Sequence, residues 1–328
     1  MSVTSSTTNA QSETMSAWVG EGGQARLVRC PRPEARPGEV VIRVLAAGVN
    51  RADLLQVAGH YPPPAGASEV LGLEVAGEVV QGAGSFKPGD AVMALLAGGG
   101  YAEYVAVDAG SVLPLPQGIS VEQGAAIPEA FVTAYQCLCH LGQLAAGQRV
   151  LLHAGASGVG TAAIQLARHL GAEVWVTVGS EAKLEACRAL GATGGVNHRQ
   201  GDFAQALPPV DLIVDPVGGD YLGRNLKLLK PDGQLIQLAM MGGRRAEVDL
   251  ALVLAKRLTV RGSTLRSQPK AVKAALVQGL WQRFGAAFEG GEIAPVVDSA
   301  YAFESVAEAH RRMADNANTG KLVLKLAQ

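Results

Sequence analysis

Residues 149–160 read RVLLHAGASGVG. The first six form an apolar run without period-two alternation, the pattern of a strand covered on both faces. A glycine loop follows, and then TAAIQLARHLG at 161–171, whose Ile164 and residues 166–170 give a helix an apolar face. Strand, loop and helix in this order suit a phosphate-binding turn: a tight bend, bare backbone close to a pyrophosphate, and helix amides aimed at negative charge. Gly155, Ala156, Ser157, Gly158, Val159 and Gly160 are therefore candidate cofactor-binding residues. The glycines stand at 155, 158 and 160 rather than at GxGxxG spacing, so the alternative is a glycine turn in another α/β protein. The flanking strand and helix argue against that alternative.

Downstream, strands predicted at 173–178, 211–215, 233–238 and 258–262 alternate with helical patterns such as 181–190. This is the signature of a doubly wound parallel domain. Upstream the texture differs. Segments 40–47 (VVIRVLAA), 73–80 (LEVAGEVV), 91–97 (AVMALLA) and 98–107 (GGGYAEYVAV) are short and punctuated by glycine, as in a sandwich or open barrel. A helix is expected over 129–144, another from Pro269 to about residue 284, a third over 305–315, and a closing strand at 321–326 that rejoins the β-rich domain. The expected division is a β-rich domain from 15–128 and 267–328, with a nucleotide-binding domain at 129–266 inserted in it. Residues 1–14, eight of them Ser or Thr, read as a disordered extension, with Met15 a candidate start.

Composition removes several functions. The 28 Lys plus Arg against 29 Asp plus Glu leave a formal charge of -1, without the basic field of a sequence-independent nucleic-acid binder. No run is long and apolar enough to span a membrane, and no secretory signal is legible, so the expected location is cytoplasmic. Cys30, Cys137, Cys139 and Cys187 have no zinc-like spacing, so no metal is expected. The 41 glycines exceed the roughly 7% of average usage and call for tight turns or bare backbone.

About twenty residues past the glycine loop, an NAD-binding domain usually carries an Asp or Glu for the ribose hydroxyls, and this chain carries Ser180. Serine does not repel a 2′-phosphate, and Lys183 can meet one or be an ordinary surface lysine. NADPH is the expected cofactor.

Further segments join this reading: AAGVNRADLLQ at 46–56, GHYPPP at 59–64, LGLEVAGEV at 71–79, AVMALLAGGGYAEYV at 91–105, AAIPEAFVTAY at 125–135, HAGASGVGTAAIQL at 153–166 and TGKLVL at 319–324. Together they resemble the zinc-free quinone oxidoreductase branch of the medium-chain dehydrogenase/reductase superfamily, and within it the p53-inducible quinone oxidoreductase-like members. The resemblance implies a GroES-like catalytic domain built from both ends of the chain, an inserted Rossmann domain, a cleft between them and a homodimer. Zinc-dependent relatives carry Cys where this chain has Asn50 and His where it has Leu73, and neither replacement ligates zinc. The chemistry implied is hydride delivery from NADPH to an electron-poor small molecule, a quinone or alternatively an α,β-unsaturated carbonyl. A catalytically silent cofactor-binding protein is the rival outside the enzymes, and nucleic-acid binding is weaker still.

The resemblance also assigns residues. Asn50 matches an active-site asparagine that donates to the acceptor oxygen, or else caps its own loop; Tyr61 is a ring wall and phenolic donor, or a packing residue on a proline-stiffened turn. Asp53 reads mainly as an orienter of loop backbone or of Arg51. Thr133 matches a threonine near the nicotinamide carboxamide. Met240, Met241 and Gly242 are expected to line the nicotinamide side with backbone groups. Leu265 and Arg266 follow the next strand, with Arg266 over the cofactor phosphates or paired at the surface, and Lys321 is a second candidate phosphate contact. His198 stands where relatives have a tyrosine, and it stacks on adenine or, if protonated, meets the phosphate with help from Arg199. His153 reads as a residue that seals the fold.

Overall fold

The computed structural model describes residues 13–327. Strands β1 (Thr14–Glu21) and β2 (Gln24–Pro31) form an antiparallel hairpin. The β-rich domain continues with β3 (Glu39–Val49), α1 (Arg51–Val57), β4 (Glu74–Gln81), β5 (Ala91–Leu95), β6 (Tyr104–Asp108), β7 (Val112–Pro114) and the short α2 (Val121–Gly124). Helix α3 (Pro128–Tyr135) leads into β8 (Arg149–Leu152), α4 (Gly158–His169), β9 (Glu173–Val178), α5 (Glu181–Ala189) and β10 (Gly194–Asn197). Then come α6 (Phe203–Ala206), β11 (Val210–Asp215), α7 (Tyr221–Leu228), β12 (Leu229–Gln237), α8 (Leu250–Lys256) and β13 (Thr259–Gly262). The chain returns through α9 (Lys270–Glu289), β14 (Val297–Ala302), α10 (Val306–Ala314) and β15 (Lys321–Lys325).

Six parallel strands in the order β10-β9-β8-β11-β12-β13 make the inserted sheet, whose order reverses between β8 and β11. Ligands of such sheets bind at the carboxyl ends of the strands beside that reversal, where the glycine loop lies. The other large sheet has seven strands, and its β15 pairs antiparallel with β3, Leu322 opposite Val49. The chain end thus lies beside the loop that follows β3. This is the α/β class, with the doubly wound parallel domain that the sequence patterns predict and the β-rich domain, built from both ends of the chain, that the resemblance implies.

A shared core joins the domains. Phe131 of α3 meets Phe288 of α9 edge-on at 5.0 Å between centroids, each 1% exposed, and burial of such a ring contributes on the order of 2–3 kcal/mol.

Two expectations need correction. The helix foreseen over 129–144 is α3 followed by a π-helical turn at Gln136–Leu141, closed by the Gly142 amide donating to Cys137 O at 3.0 Å; apolar periodicity alone does not distinguish the two windings. Thr14, placed in the extension, begins β1 and pairs with Pro31, while residues 1–12 lie outside the described residues. Helices α1, α7 and α8 and strands β10 and β14 have no counterpart in the pattern reading.

Candidate active site

The glycine loop is formed by contacts that exclude side chains. A Cβ at Gly160 would collide with the carbonyl oxygens of Gly155 and Ala154, and one at Gly158 would collide with the Lys321 methylenes. Ser157 caps α4, accepting from the Gly160 amide at 3.0 Å, and the earlier amides of that first turn have no intrahelical partner. The GroES-like domain grips the same loop, because the Gly320 amide donates to Ala156 O at 2.8 Å. Such a cradle fits a pyrophosphate.

At the next strand end, Ser180 caps α5 by accepting from the Lys183 amide at 3.3 Å. Lys183 Nζ donates to Asn316 O at 2.6 Å. Its pKa is lowered by burial, with Asp298 opposing and Arg199 reinforcing the shift. His198 Nε2 and Arg199 Nε lie 3.6 and 3.7 Å from where a Cβ on Gly179 would stand. Burial and then Arg199 hold His198 below the usual imidazole range, which favours a neutral ring suited to stacking over a cation. Lys183, Arg199 and His198 therefore gather around the Ser180 cap at the end of β9.

His153 is 2% exposed at the end of β8, with Nδ1 2.9 Å from Thr177 Oγ1 and Nε2 2.7 Å from Asn225 Oδ1. Burial lowers its pKa to about 4, so it is a neutral residue inside the sheet edge. In the loop after β12, the Met241 and Gly242 amides donate to Pro216 O and Val217 O at 3.1 and 2.7 Å. Those two backbone donors, expected to face the cofactor, are used within the loop, whereas the Met240 and Met241 side chains are 54% and 50% exposed. Thr133 and Leu265 are buried.

Where the loop after β3 meets β4 and β15, the residues form a polar cluster. Asn50 Nδ2 donates to Glu74 Oε1 at 2.9 Å, and its Oδ1 accepts from Lys321 Nζ at 2.6 Å. Lys321 also pairs with Glu74 Oε1 at 2.5 Å and donates to Val49 O at 2.9 Å. Its ammonium thus faces Asn50 and not a phosphate, because its methylenes cross the glycine loop before turning in. Asp53, fully buried, accepts from the Asn50 and Gly72 amides and from the Tyr101 hydroxyl, which makes it the orienter of loop backbone; burial raises its pKa to about 6. Arg266 is 3% exposed and lies neither over the glycine loop nor at the surface. It donates to Ala97 O, Tyr61 O and Gln56 Oε1 at 2.8, 3.2 and 2.7 Å, with its guanidinium 5.3 Å from the Tyr61 ring centre, and so clasps the Tyr61 loop.

Two residues of the cluster were not foreseen. Glu74, 0% exposed, is a carboxylate inside the otherwise apolar run LEVA, and that interruption was its legible signal. Glu129 opens α3 and its amide donates to Glu74 Oε2 at 2.9 Å. Its carboxyl is raised to about 8 by burial first and by Glu74 second. Among the described residues no group of three His, Cys, Asp or Glu is placed to hold a metal ion, and no helix is long and apolar enough to cross a membrane.

Residues 36–117 match the family model described as alcohol dehydrogenase GroES-like domain, and residues 158–280 the one described as zinc-binding dehydrogenase. The chain is 32% identical over 332 residues to the synaptic vesicle membrane protein VAT-1 homolog of Homo sapiens, covering 93% of this chain and 84% of that protein. It superposes with a TM-score of 0.80 on the quinone oxidoreductase from Thermus thermophilus, whose structure was also determined as a complex with NADPH, at 36% identity over 95% of this chain and 100% of that one. Polyketide synthase GfsB of Streptomyces halstedii is 35% identical over 295 residues, and there the chain spans only 5% of the relative's length.

Proposed function

Because the chain belongs to the zinc-free, quinone-oxidoreductase-like branch of the medium-chain dehydrogenase/reductase superfamily, we propose that it is an NADPH-dependent reductase of quinones working at the junction of its two domains. The observation that carries this reading is Lys321. Its methylenes cover Gly158 of the cofactor loop and its ammonium ends on Asn50 and Glu74, so one side chain joins the cofactor cradle to the acceptor loop.

Residues 155–160 would hold the pyrophosphate, and Ser180, Lys183, His198 and Arg199 the adenosine end. Bound there, a reduced nicotinamide supplies hydride. The chain's own residues position the acceptor and keep out water: Tyr61 is a ring wall braced by Arg266, and Asn50 presents its amide from a frame fixed by Glu74, Asp53 and Lys321. Leu73, where zinc-dependent relatives place a ligand, is 1% exposed in apolar core. Without a Lewis acid to polarise an alcohol, an acceptor that is already electron-poor suits the site. The exposed edge strand β13, with Val260 49% exposed and Leu250 and Leu254 of α8 exposed beside it, is the surface on which we place a homodimer contact.

Fluorescence titration and turnover assays test the reading. NADPH should bind about tenfold more tightly than NADH, and Lys183→Ala should erase most of that preference, a difference near 1.4 kcal/mol. Quinones should outpace α,β-unsaturated carbonyls. Equal affinity for the two cofactors, or rapid enone reduction with no quinone turnover, would overturn it.

A further inference from the structure

The polar cluster at the cleft leaves one group over. Glu129 Oε2 is enclosed and has no hydrogen-bond partner among the described residues. A buried carboxylate oxygen without a donor costs several kcal/mol, and a second carboxylate nearby adds to the cost. Protonation removes both penalties. The groups facing Glu129 are Glu74 from β4, Lys321 from β15, Asp53 from α1, Tyr61 from the loop after α1, Arg266 from the segment after β13 and Lys273 from α9. Its three cationic neighbours are committed elsewhere: Lys321 to Glu74 and Asn50, Arg266 to the Tyr61 loop, and Lys273 Nζ to Arg266 O at 3.3 Å. None neutralises Glu129, whose pKa of about 8 leaves it largely protonated at neutral pH.

Position matters as much as charge. Glu129 lies one helical turn before Thr133, so the two share a face of α3, and the residue is half-buried although its Oε2 is enclosed. The other candidate acids are poorly placed. Asp53 is fully buried and its oxygens accept from two amides and the Tyr101 hydroxyl, while burial followed by Glu129 makes the Tyr61 phenol a weaker acid than usual.

We propose that Glu129 is the proton donor of the reaction, a neutral carboxylic acid that protonates the acceptor oxygen as it becomes negative. The assignment rests on the reductase reading above. Hydride, carrying two electrons, passes from the reduced nicotinamide to the quinone; the Glu129 O–H bond breaks and an O–H bond forms on the acceptor. The nicotinamide ends oxidised. The acceptor ends as a hydroquinone with the Glu129 proton as the only proton consumed: where the hydride settles on a ring carbon, that carbon releases a proton to solvent as the second oxygen takes one up, and the Glu129 carboxylate regains its own proton from solvent. Beside Glu74 that carboxylate is unfavourable, which drives its return to the acid.

The decisive variant is Glu129→Gln, which keeps the shape and removes the acid. With a quinone acceptor its kcat should fall about 100-fold, the lower end of what a positioned general acid supplies. The Kd for NADPH should stay unchanged, which also reports that the variant folds, and Glu129→Asp should restore part of the rate. Wild-type kcat should decline as pH rises through about 8, and the glutamine variant should lack that limb. An independent readout needs no cofactor: infrared difference spectra of the unliganded protein across the same pH range should show a protonated carboxyl stretch that vanishes in Glu129→Gln. An unchanged kcat and pH profile in Glu129→Gln, or no such stretch, overturns the assignment while leaving the reductase reading in place. Absence of quinone turnover in the wild type overturns both.

Discussion

Two buried polar clusters, one inside the inserted parallel-sheet domain and one where the two domains meet, are built on opposite terms. Around His153, both ring nitrogens have partners, Asn225 also donates to Asp215 Oδ2 at 3.0 Å, and the rings of Phe203 and Tyr221 close the sides at 4.7 and 4.9 Å. Around Asn50, Glu74 and Lys321 the bonds are as short, yet Glu129 Oε2 is left without one. A fully satisfied network fixes a fold; an unsatisfied oxygen beside a cleft holds free energy that protonation or a ligand can release. The first cluster secures the end of β8 under the glycine loop, and the second joins the loop after β3 to that glycine loop through Lys321.

Removing one side chain from each cluster should break this comparison if it is wrong. Lys321→Met strands Glu74 as a buried charge with its cation gone, and breaking a buried pair of this kind costs about 3–5 kcal/mol. The expected result is the largest loss of urea stability among these variants. His153→Ala removes two hydrogen bonds and aromatic contacts but no charge, and should cost about 2–3 kcal/mol. NADPH affinity, measured under conditions where the variant is fully folded, should then change little in His153→Ala. A larger loss for His153 than for Lys321 would mean that the ion pair at the cleft contributes no more than its solvated parts.

How much of this was legible depends on whether the signal is local. The glycine loop and its flanking strand and helix are contiguous, so the strand–turn–helix unit around residues 155–160 was readable from local pattern even though its glycines depart from GxGxxG spacing. Arg266 was not. Its partners Ala97, Tyr61 and Gln56 lie more than a hundred residues away in sequence, and only the folded domain junction brings a cation from the end of β13 onto the Tyr61 loop. Lys321 lies against the glycine loop through its methylenes, yet the direction of its ammonium depends on Glu74, a residue whose burial could be suspected from LEVA but whose partner could not. Glu129 stands in plain view in IPEAF at the start of the expected helix, and nothing in the sequence singles it out, because sequence says nothing of the missing donor. Element boundaries were lost where winding changes without a change of pattern, as at the π turn after α3.

The two clusters should also leave opposite marks on stability as pH changes, and the smaller of the effects separates them most sharply. His153 has its pKa lowered from 6.5 to about 4, so the unfolded chain binds more protons in that window and stability rises with pH from about 4 to 6.5. Glu129 has its pKa raised from 4.5 to about 8, so the folded chain holds the extra proton; its contribution is full below 4.5 and is lost as pH climbs through about 8. Asp53, raised from 3.8 to about 6, adds to the lower part of the same falling limb, but it is common to wild type and variant and cancels in the difference. Urea midpoints measured across the pH range should therefore show wild type losing on the order of 1–2 kcal/mol more than Glu129→Gln between weakly acidic and alkaline conditions, a modest figure because the side chain is only half-buried and can relax toward water. At alkaline pH the glutamine variant should be the more stable protein. Parallel curves would mean that Glu129 is already ionised in the folded chain at neutral pH, and the contrast between a satisfied cluster and an unsatisfied one would then have to rest on geometry without the proton.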